Sequence, residues 1–204
     1  LEALFGDDSG AVGVCRTTRY SFRGCRHGED LFALKESGNI YSRLMNPTND
    51  VLEKRLAALD GGAAALTLAS GTAAIYFTIT NILRQGDELV SANNLYGGTY
   101  TQFDAILPQQ GIKVNFTAVN DFAAVRAAIN ERTRAIYIEA VGNPTLDVAD
   151  IPGYAAIARE YHLPLIVDAT FTTPSLLRPI AHGANIVIHS LSKWIGGHGT
   201  GIGG

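Results

Sequence analysis

Short apolar runs alternate with amphipathic segments along most of this sequence. The apolar runs are rich in β-branched residues and predict strands at residues 63–68, 87–92, 112–118, 134–140, 163–168 and 185–190. Segments with helical periodicity lie between these runs, at residues 71–84, 121–131 and 150–162. Strands and helices that alternate in this way predict an α/β fold, with a mostly parallel sheet covered by helices on both faces.

The clearest helix signal is NPTNDVLEKRLAALDGG, which covers residues 46–62. Asn46 suits the N-cap, Pro47 suits the first turn, and Gly61 can end the helix in a left-handed conformation. No linker, low-complexity tract or internal repeat interrupts the chain. The pattern therefore predicts one continuous domain.

Composition excludes several classes of function. The 204 residues are 47% hydrophobic and 17% charged with a net charge of -3, which gives no electrostatic case for binding nucleic acid or an anionic membrane. Cys15 and Cys25 have no zinc-binding spacing and are too few for a disulfide framework, so we expect a reducing cytoplasm and no metal. No apolar run is long enough to span a membrane, and the start LEALFGDDSG does not resemble a signal peptide.

Polar residues follow the predicted strands. In a parallel sheet, ligands bind where the carboxyl ends of the strands meet, so we expect these exits to form one site. The exits are Ser70 to Thr72, Asn93 to Tyr96, Glu139 to Asn143, Asp168 to Thr170, and His189 to Lys193.

Lys193 lies in the stretch HSLSKWIGGHGT, directly after the last predicted strand. One interpretation is that this side chain extends to solvent, as most lysines do. The other is that its amine is partly desolvated and acts as a nucleophile toward a carbonyl group. Ser190 and Ser192 offer hydroxyl groups, Trp194 could shield the amine, and the glycines of 196–199 let the backbone come close. These neighbours favour a Schiff-base lysine beside a phosphate.

Pyridoxal 5'-phosphate is the cofactor that such a lysine predicts. The cofactor needs an acid at its ring nitrogen, an aromatic face for its ring, and donors for its phosphate. Asp168 suits the first role and Tyr96 the second, while Gly71 and Thr72 could present backbone N–H groups at a helix N-terminus. Each residue also has a simpler interpretation, as a helix cap, a packing contact or a tight turn.

Taken together, these motifs resemble one family over nearly the whole chain. The chain resembles the pyridoxal-phosphate enzymes of cysteine and methionine metabolism, the cystathionine gamma-synthase family. Within that family, EAVGNP and KWIGGHGTGIGG are similar to the O-acetylhomoserine sulfhydrylase branch. The matching stretches are GNIYSRLMNPTNDVLEKRLAALDGG, LASGTAAI, NLYGGTY, EAVGNPTLDVADI, PLIVDATFTTPSLLRPIAHGANIVIHS and LSKWIGGHGTGIGG.

The resemblance implies a fold and a set of site residues. The fold is the large domain of the aspartate aminotransferase-like, fold type I transferases. Lys193 would carry the cofactor and act with Tyr96 in catalysis. The residues implied to bind the cofactor are Tyr41, Arg43, Ser70, Gly71, Thr72, Tyr96, Asn143, Asp168, Thr170, Ser190, Ser192 and Lys193. The position after Asp168 commonly holds Asn in the family, and Ala169 here puts one supporting hydrogen bond in doubt.

The resemblance also implies an assembly. Residues 1–45 would form an arm whose Tyr41 and Arg43 reach the phosphate of a neighbouring subunit, and residues 46–204 would form the cofactor-binding domain. We therefore expect a homodimer or homotetramer with shared active sites.

Family members continue beyond the position that corresponds to Gly204. A last large-domain strand and a C-terminal domain follow there, so this sequence is expected to be a fragment that is inactive alone. The missing strand would begin near Gly201 and insert between the strands at 185–190 and 63–68.

The activity implied by the resemblance is gamma-replacement on O-acetylhomoserine by sulfide or a thiol, giving homocysteine or methionine and acetate. Cystathionine gamma-synthase, cystathionine lyase and methionine gamma-lyase activities are alternatives within the family.

Two unrelated functions match parts of the sequence. Ser70, Asp168 and His189 occur in the chain order of an α/β-hydrolase triad, but LASGT lacks the GxSxG elbow. GTGIGG at 199–204 matches the GxGxxG pattern of a dinucleotide-binding module, but it directly follows no predicted strand.

Overall fold

Residues 13–204 are described by the computed structural model. Their backbone divides into two units. The first is Leu1–Ala58 with Ala64–Leu66, of which the described part begins at Gly13, and the second is Leu59–Ala63 with Thr67–Gly204. The prediction that LEALFGDDSG is no signal peptide lies outside the described residues.

Two helices begin in the first unit. Helix α1 covers Cys25–Phe32 and helix α2 covers Pro47–Asp60. The Thr48 N–H donates to the Asn46 side chain at 2.9 Å, and Gly61 has a φ of 75° immediately after the helix. The predicted start and end signals of α2 are thereby confirmed, because a side-chain acceptor satisfies an otherwise unpaired N–H group and a left-handed glycine stops the helix.

The second unit contains a parallel sheet whose strands follow the order β2-β1-β3-β4-β5. The strands are β1 Glu88–Ala92, β2 Lys113–Thr117, β3 Thr133–Glu139, β4 Leu165–Asp168 and β5 Ile186–Ile188. Each neighbouring pair is parallel. The predicted α/β fold is therefore confirmed, and five of the six predicted strands are present.

Helices cover both faces of this sheet. Their bounds are α3 Gly71–Ile82, α4 Gly97–Thr101, α5 Phe122–Ala128, α6 Ile151–Glu160 and α7 Thr173–Leu176. A π-helical turn at Gln102–Ile106 and a 3₁₀ turn at Leu107–Gln110 extend α4, and a second 3₁₀ turn covers Pro179–His182. The helical stretch from 97 to 110 was not among the predicted helices.

Successive residues of the central strands point to opposite faces of the sheet and pack in two separate apolar layers. Ile136, Ile138 and Val167 pack with residues of α5 and α6 on one face. Tyr137 and Ile166 pack with residues of α3 and of the 97–110 stretch on the other. Strands covered on both faces read as continuous apolar runs, which explains why β3 and β4 were readily predicted.

The predicted strand at 63–68 is wrong, because these residues form no strand. Leu68 does exchange backbone hydrogen bonds with Gly204, at 2.7 and 3.0 Å. The Leu191 N–H donates to the Gly203 carbonyl at 2.9 Å. Gly203 and Gly204 thus pair with backbone on both sides, as expected for the segment that follows Gly201, but two residues are too few for a ladder.

Among residues 13–204, no helix combines the length and the apolar character that crossing a membrane requires.

The packing of β4 generates a stability prediction. Val167 is fully buried in the sheet, whereas Val148 is 66% exposed. In the complete protein, Val167→Ala should lower the free energy of unfolding by about 2 kcal/mol, because it removes buried methyl groups and leaves a cavity. The urea-unfolding midpoint measures the loss, with Val148→Ala as the matched control. Equal midpoints for the two variants would contradict this description of the core.

Candidate active site

The carboxyl ends of the central strands hold the polar residues that the sequence placed there. Glu139 and Asp168 are register partners at the ends of β3 and β4. The Ala169 N–H then donates to the Ile188 carbonyl at 2.9 Å, which holds the exit of β4 against the end of β5. Parallel pairing therefore brings the exits of three strands to one edge, as predicted.

Asp168 is fixed by hydrogen bonds from two directions. Its Oδ1 accepts from the Thr170 N–H at 2.9 Å, and its Oδ2 lies 3.5 Å from the hydroxyl of Tyr137, a fully buried side chain of β3. Burial raises the pKa of Asp168 and is opposed by the hydrogen bonds from Thr170. The carboxyl group has support from Thr170 and Tyr137 although Ala169 cannot supply any side-chain donor.

The N-terminus of α3 lies against Ser190, which follows β5. Ser70 caps this helix, since its hydroxyl accepts from the Ala73 N–H at 3.1 Å. A Cβ added to Gly71 would lie 2.6 Å from Ser190 Cβ and 2.9 Å from Ser190 Oγ. Only glycine permits this contact, which brings the first backbone N–H groups of the helix beside the Ser190 hydroxyl. A helix N-terminus with an adjacent hydroxyl suits an anion such as a phosphate.

Ser190 connects this anion site to Asp168. The Ser190 N–H donates to the Thr170 hydroxyl at 2.8 Å, and Thr170 in turn donates its own N–H to Asp168. Ser192 lies two residues further on, where its hydroxyl accepts from the Gly203 N–H at 3.0 Å. The predicted residues Gly71, Asp168, Thr170 and Ser190 are thus joined through direct contacts.

Lys193 lies in a tight turn after β5. The Lys193 N–H donates to the Ser190 carbonyl at 3.1 Å, and the Gly197 N–H donates to the Lys193 carbonyl at 2.8 Å. A Cβ on Gly196 would lie 2.6 Å from the Leu191 carbonyl oxygen, so the close backbone approach expected of the glycine run is confirmed. The expected shielding is wrong, because Lys193 is exposed and Trp194 is 65% exposed.

Tyr96 and Asn143 lie on neighbouring strand exits, after β1 and β3. Tyr96 has half of its surface exposed, and Asn143 is partly buried. The Tyr96 N–H donates to Glu139 Oε1 at 2.8 Å, and the Asn143 backbone also bonds to the Glu139 carboxyl group. Glu139 therefore joins the two loops that carry these predicted site residues.

Sequence reasoning assigned no role to Glu139. It is 4% exposed, and burial raises its pKa to about 8, with the charge of Asp168 acting in the same direction. The signal that could have found it is an acidic residue inside the apolar run RAIYIEA, because a buried carboxyl group requires hydrogen-bonding partners.

The sequence placed His189 among the strand exits and in a possible hydrolase triad, and the structure gives it another partner. Its Nε2 lies 2.8 Å from Asp60 Oδ2 at the end of α2, and both side chains are buried. Ser70, the nucleophile of that triad, is engaged as the cap of α3. The triad interpretation is therefore wrong for this arrangement. Gly203 and Gly204, the end of the dinucleotide-like motif, form backbone hydrogen bonds with Leu191 and Leu68.

Tyr41 and Arg43 belong to the first unit. Both are exposed, and the Arg43 guanidinium lies 5.4 Å from the centre of the Tyr41 ring, within the range of a cation–π contact. Within residues 13–204, no group of three or more His, Cys, Asp or Glu side chains is arranged to hold a metal ion.

Comparison with known proteins identifies the family. The family described as Cys/Met metabolism PLP-dependent enzyme matches residues 5–204, and this chain belongs to it. Pyridoxal phosphate is therefore its cofactor, as the sequence predicted.

Individual relatives are similar over nearly all of the chain. It is 50% identical to O-acetyl-L-homoserine sulfhydrylase of Leptospira meyeri over 96% of its length, and 51% identical to homocysteine synthase of Schizosaccharomyces pombe over 96%. A crystal structure from Campylobacter jejuni, named as an O-acetylhomoserine (thiol)-lyase and containing a pyridoxyl-lysine phosphate, superposes with a TM-score of 0.93 at 39% identity over 95% of the chain. The chain spans less than half of these proteins, 44%, 46% and 47% respectively.

The residues present fit pyridoxal phosphate. A helix N-terminus next to Ser190 offers donors for a phosphate, and the Gly71 contact leaves no room there for a side chain on the helix. Asp168 offers a fixed carboxylate for a ring nitrogen, and it is bonded to the anion site through Thr170. One acidic group and one anion site held at a fixed separation match the two charged ends of this cofactor.

Burial of Glu139 generates a pH prediction. With a folded-state pKa of about 8 against an ordinary 4.5, the folded state binds one proton more than the unfolded state between these values, so stability falls as pH rises through that window. In cofactor-free complete protein, Glu139→Gln removes this term. Its stability relative to wild type should rise between about pH 5 and pH 8, by at most about 1.4 kcal/mol per pH unit.

Urea unfolding of both proteins across this range measures the effect. Asp168 also has a raised pKa and is present in both proteins, so the difference reports the titration of Glu139 together with its coupling to Asp168. A difference that stays constant or falls with pH would contradict the assignment.

Proposed function

We propose that the complete protein is an O-acetylhomoserine sulfhydrylase, which replaces the acetate of O-acetylhomoserine by sulfide or a thiol. The observation that carries the proposal is the bonded path from Asp168 through Thr170 to Ser190, beside the N-terminus of α3. The names of the relatives from Leptospira meyeri and Schizosaccharomyces pombe support this branch of the family. The products would be homocysteine, or methionine when methanethiol is the donor, and acetate.

Asp168 would pair with the ring nitrogen of the cofactor. When bound, pyridoxal phosphate stores the electrons released from the substrate as its α and β carbons lose protons. The Thr170 N–H stabilises the ionised form of the Asp168 carboxyl group, which would favour a protonated ring nitrogen beside it. The Tyr137 hydroxyl on the other carboxylate oxygen limits rotation of the group.

The phosphate would bind at the anion site. Backbone N–H groups of Gly71 and Thr72 and the hydroxyl groups of Ser190 and Ser192 are the donors that the proposal assigns to it. Ser70 would act by capping α3, because its hydroxyl already accepts from Ala73. Asn143 would contact the ring hydroxyl.

Lys193 would carry the cofactor and then act as the general base. Its amine, released by the incoming amino acid, would take the proton from the α carbon and move a proton at the β carbon. Tyr96 would stack on the ring, and its phenol would assist the departure of acetate from the γ carbon. A positioned acid or base of this kind contributes about 10² to 10⁴ in rate.

The proposal includes an assembly and a location. Residues 1–45 would act as an arm whose Tyr41 and Arg43 bind the cofactor phosphate of a neighbouring subunit in a dimer or tetramer, while residues 46–204 hold the rest of the site. An arginine suits this role because it donates two parallel hydrogen bonds to a phosphate. Two free cysteines are compatible with the cytoplasm, where we place the enzyme.

Replacement of Lys193 tests the proposed catalytic group. In the complete protein, Lys193→Ala should abolish the visible absorbance of bound cofactor and lower turnover of O-acetylhomoserine by at least about 10²-fold, since it removes both the attachment point and the base. Lys54→Ala is the control, because Lys54 is a surface lysine paired with Asp50. A Lys193→Ala variant that keeps the absorbance and normal turnover would disprove the assignment.

Subunit mixing tests the proposed arm. Arg43→Ala and Lys193→Ala homodimers should each be nearly inactive. Mixed dimers should recover activity, because one site then carries both lesions and the other carries neither. When equal amounts of the two variants exchange at random, half of the dimers are mixed and each mixed dimer has one intact site of two. Homocysteine formation after exchange should therefore approach about a quarter of the wild-type rate. Absence of recovery despite demonstrated subunit exchange would show that Arg43 does not act across the interface.

A further inference from the structure

Glu139 is a buried carboxyl group to which the proposed mechanism gives no role. It ends β3 and is 4% exposed, next to Asp168 of β4 in the strand register. A carboxyl group in such a position is costly unless its oxygens are hydrogen-bonded, so its contacts indicate what it does.

The contacts of Glu139 are with two loops that carry site residues. Its Oε1 accepts from the Tyr96 N–H at 2.8 Å, across 43 residues of sequence. Its carboxyl group also accepts from the Asn143 backbone. Tyr96 follows β1 and Asn143 follows β3, so a single side chain connects the two strand exits.

An independent contact brings the same two loops together. Gly142 is buried, and a Cβ added to it would lie 2.3 Å from Asn94 Nδ2 and 2.6 Å from the Asn94 carbonyl oxygen. Backbone cannot move aside as easily as the end of a side chain, so any side chain at residue 142 would push the loops apart. The loops that hold Tyr96 and Asn143 are therefore packed at closest approach as well as bonded through Glu139.

We propose that Glu139 is a positioning residue that fixes Tyr96 over the active site through the Tyr96 backbone N–H. This inference rests on the proposed function, in which Tyr96 stacks on the cofactor ring and assists the leaving group. The half-exposed Tyr96 ring lies against Gly98, where an added Cβ would be 2.5 Å from a ring atom. The Tyr96 carbonyl accepts from the Tyr100 N–H at 2.9 Å, and the Glu139 contact adds the bond that ties the Tyr96 main chain to β3. Burial raises the pKa of Glu139 to about 8, which favours a neutral carboxyl group whose oxygen can still accept the Tyr96 N–H.

Three variants of the complete holoenzyme test the proposal. Glu139→Leu removes the acceptor, Glu139→Gln keeps an acceptor oxygen in a neutral group of the same shape, and Glu88→Leu is the matched control. Glu88 is also a buried carboxylate of the sheet, 2% exposed, but it lies at the start of β1, the opposite end from the site. Removing it should affect stability without moving Tyr96.

The first readout is the position of Tyr96 in crystal structures. In Glu139→Leu the Tyr96 main chain should shift by about 1 Å, enough to cost about 10²-fold in rate, whereas in Glu139→Gln and Glu88→Leu it should stay in place. The second readout is kcat for O-acetylhomoserine, which should fall in Glu139→Leu and be restored in Glu139→Gln. The proposal is overturned if Tyr96 keeps its position in Glu139→Leu, or if Glu139→Gln loses as much kcat as Glu139→Leu.

A further variant, Gly142→Ala, keeps the proposal testable if Glu139→Leu fails to fold. Gly142→Ala leaves the carboxyl group intact but forces the loops apart, so it should displace Tyr96 in the same way. An unchanged Tyr96 position in Gly142→Ala would also count against the proposal. The position of Tyr96 in a crystal structure does not depend on the identity of the substrate. The structural result therefore tests the role of Glu139 even if the enzyme does not act on O-acetylhomoserine. The turnover assay tests the substrate separately.

Discussion

The contact between Gly71 and Ser190 is the constraint on which the candidate site depends. It seats the positive end of α3 against the exit of β5, where no side chain larger than hydrogen could lie between them. From Ser190 the hydrogen bonds continue to Thr170 and Asp168, at the exit of β4. The N-terminus of α3, which is the candidate anion site, and the Asp168 carboxyl group are thus held in fixed relation by a close backbone contact and two hydrogen bonds. Such rigidity suits a cofactor with a phosphate at one end and a ring nitrogen at the other.

Two carboxyl groups of opposite function lie side by side at this edge. Asp168 and Glu139 are register partners, and two ionised carboxylates so close together would repel each other. Burial raises the pKa of both groups, to about 8 for Glu139, and the hydrogen bonds from Thr170 oppose that rise at Asp168. In the proposed mechanism the two groups have separate roles. Asp168 would face the cofactor, and Glu139 would accept hydrogen bonds from the backbone of the loops.

Much of the fold could be predicted because the central strands are buried on both faces. Continuous apolar runs identify β3 and β4, and the capping residues Asn46 and Gly61 identify the ends of α2. The helical stretch at 97–110 could not be found in this way. It opens with two glycines and contains Pro108, and it is stabilised by Phe103 and Leu107, which are fully buried against the sheet. Tertiary packing decided its conformation where local propensity is poor.

The same distinction applies to the site. Strand exits predicted Asp168, Thr170 and Ser190 as neighbours, because parallel strands end at one edge. The prediction that Trp194 covers Lys193 is wrong, since Trp194 is exposed. Residue types alone predict neither the exposure of a side chain nor the direction of a turn. The Glu139 contact with Tyr96 and the His189 contact with Asp60 were not predicted, because these partners lie 43 and 129 residues apart in the sequence.

The central claim is that Lys193 carries the cofactor at the exit of β5. Reduction of the complete holoenzyme with borohydride, followed by proteolysis and tandem mass spectrometry, tests it most directly. Our account predicts that the phosphopyridoxyl group is attached to the lysine in the peptide HSLSKWIGGHGT, at residues 189–200. Attachment to another lysine, such as Lys113 at the start of β2, or no covalent attachment at all, would contradict it.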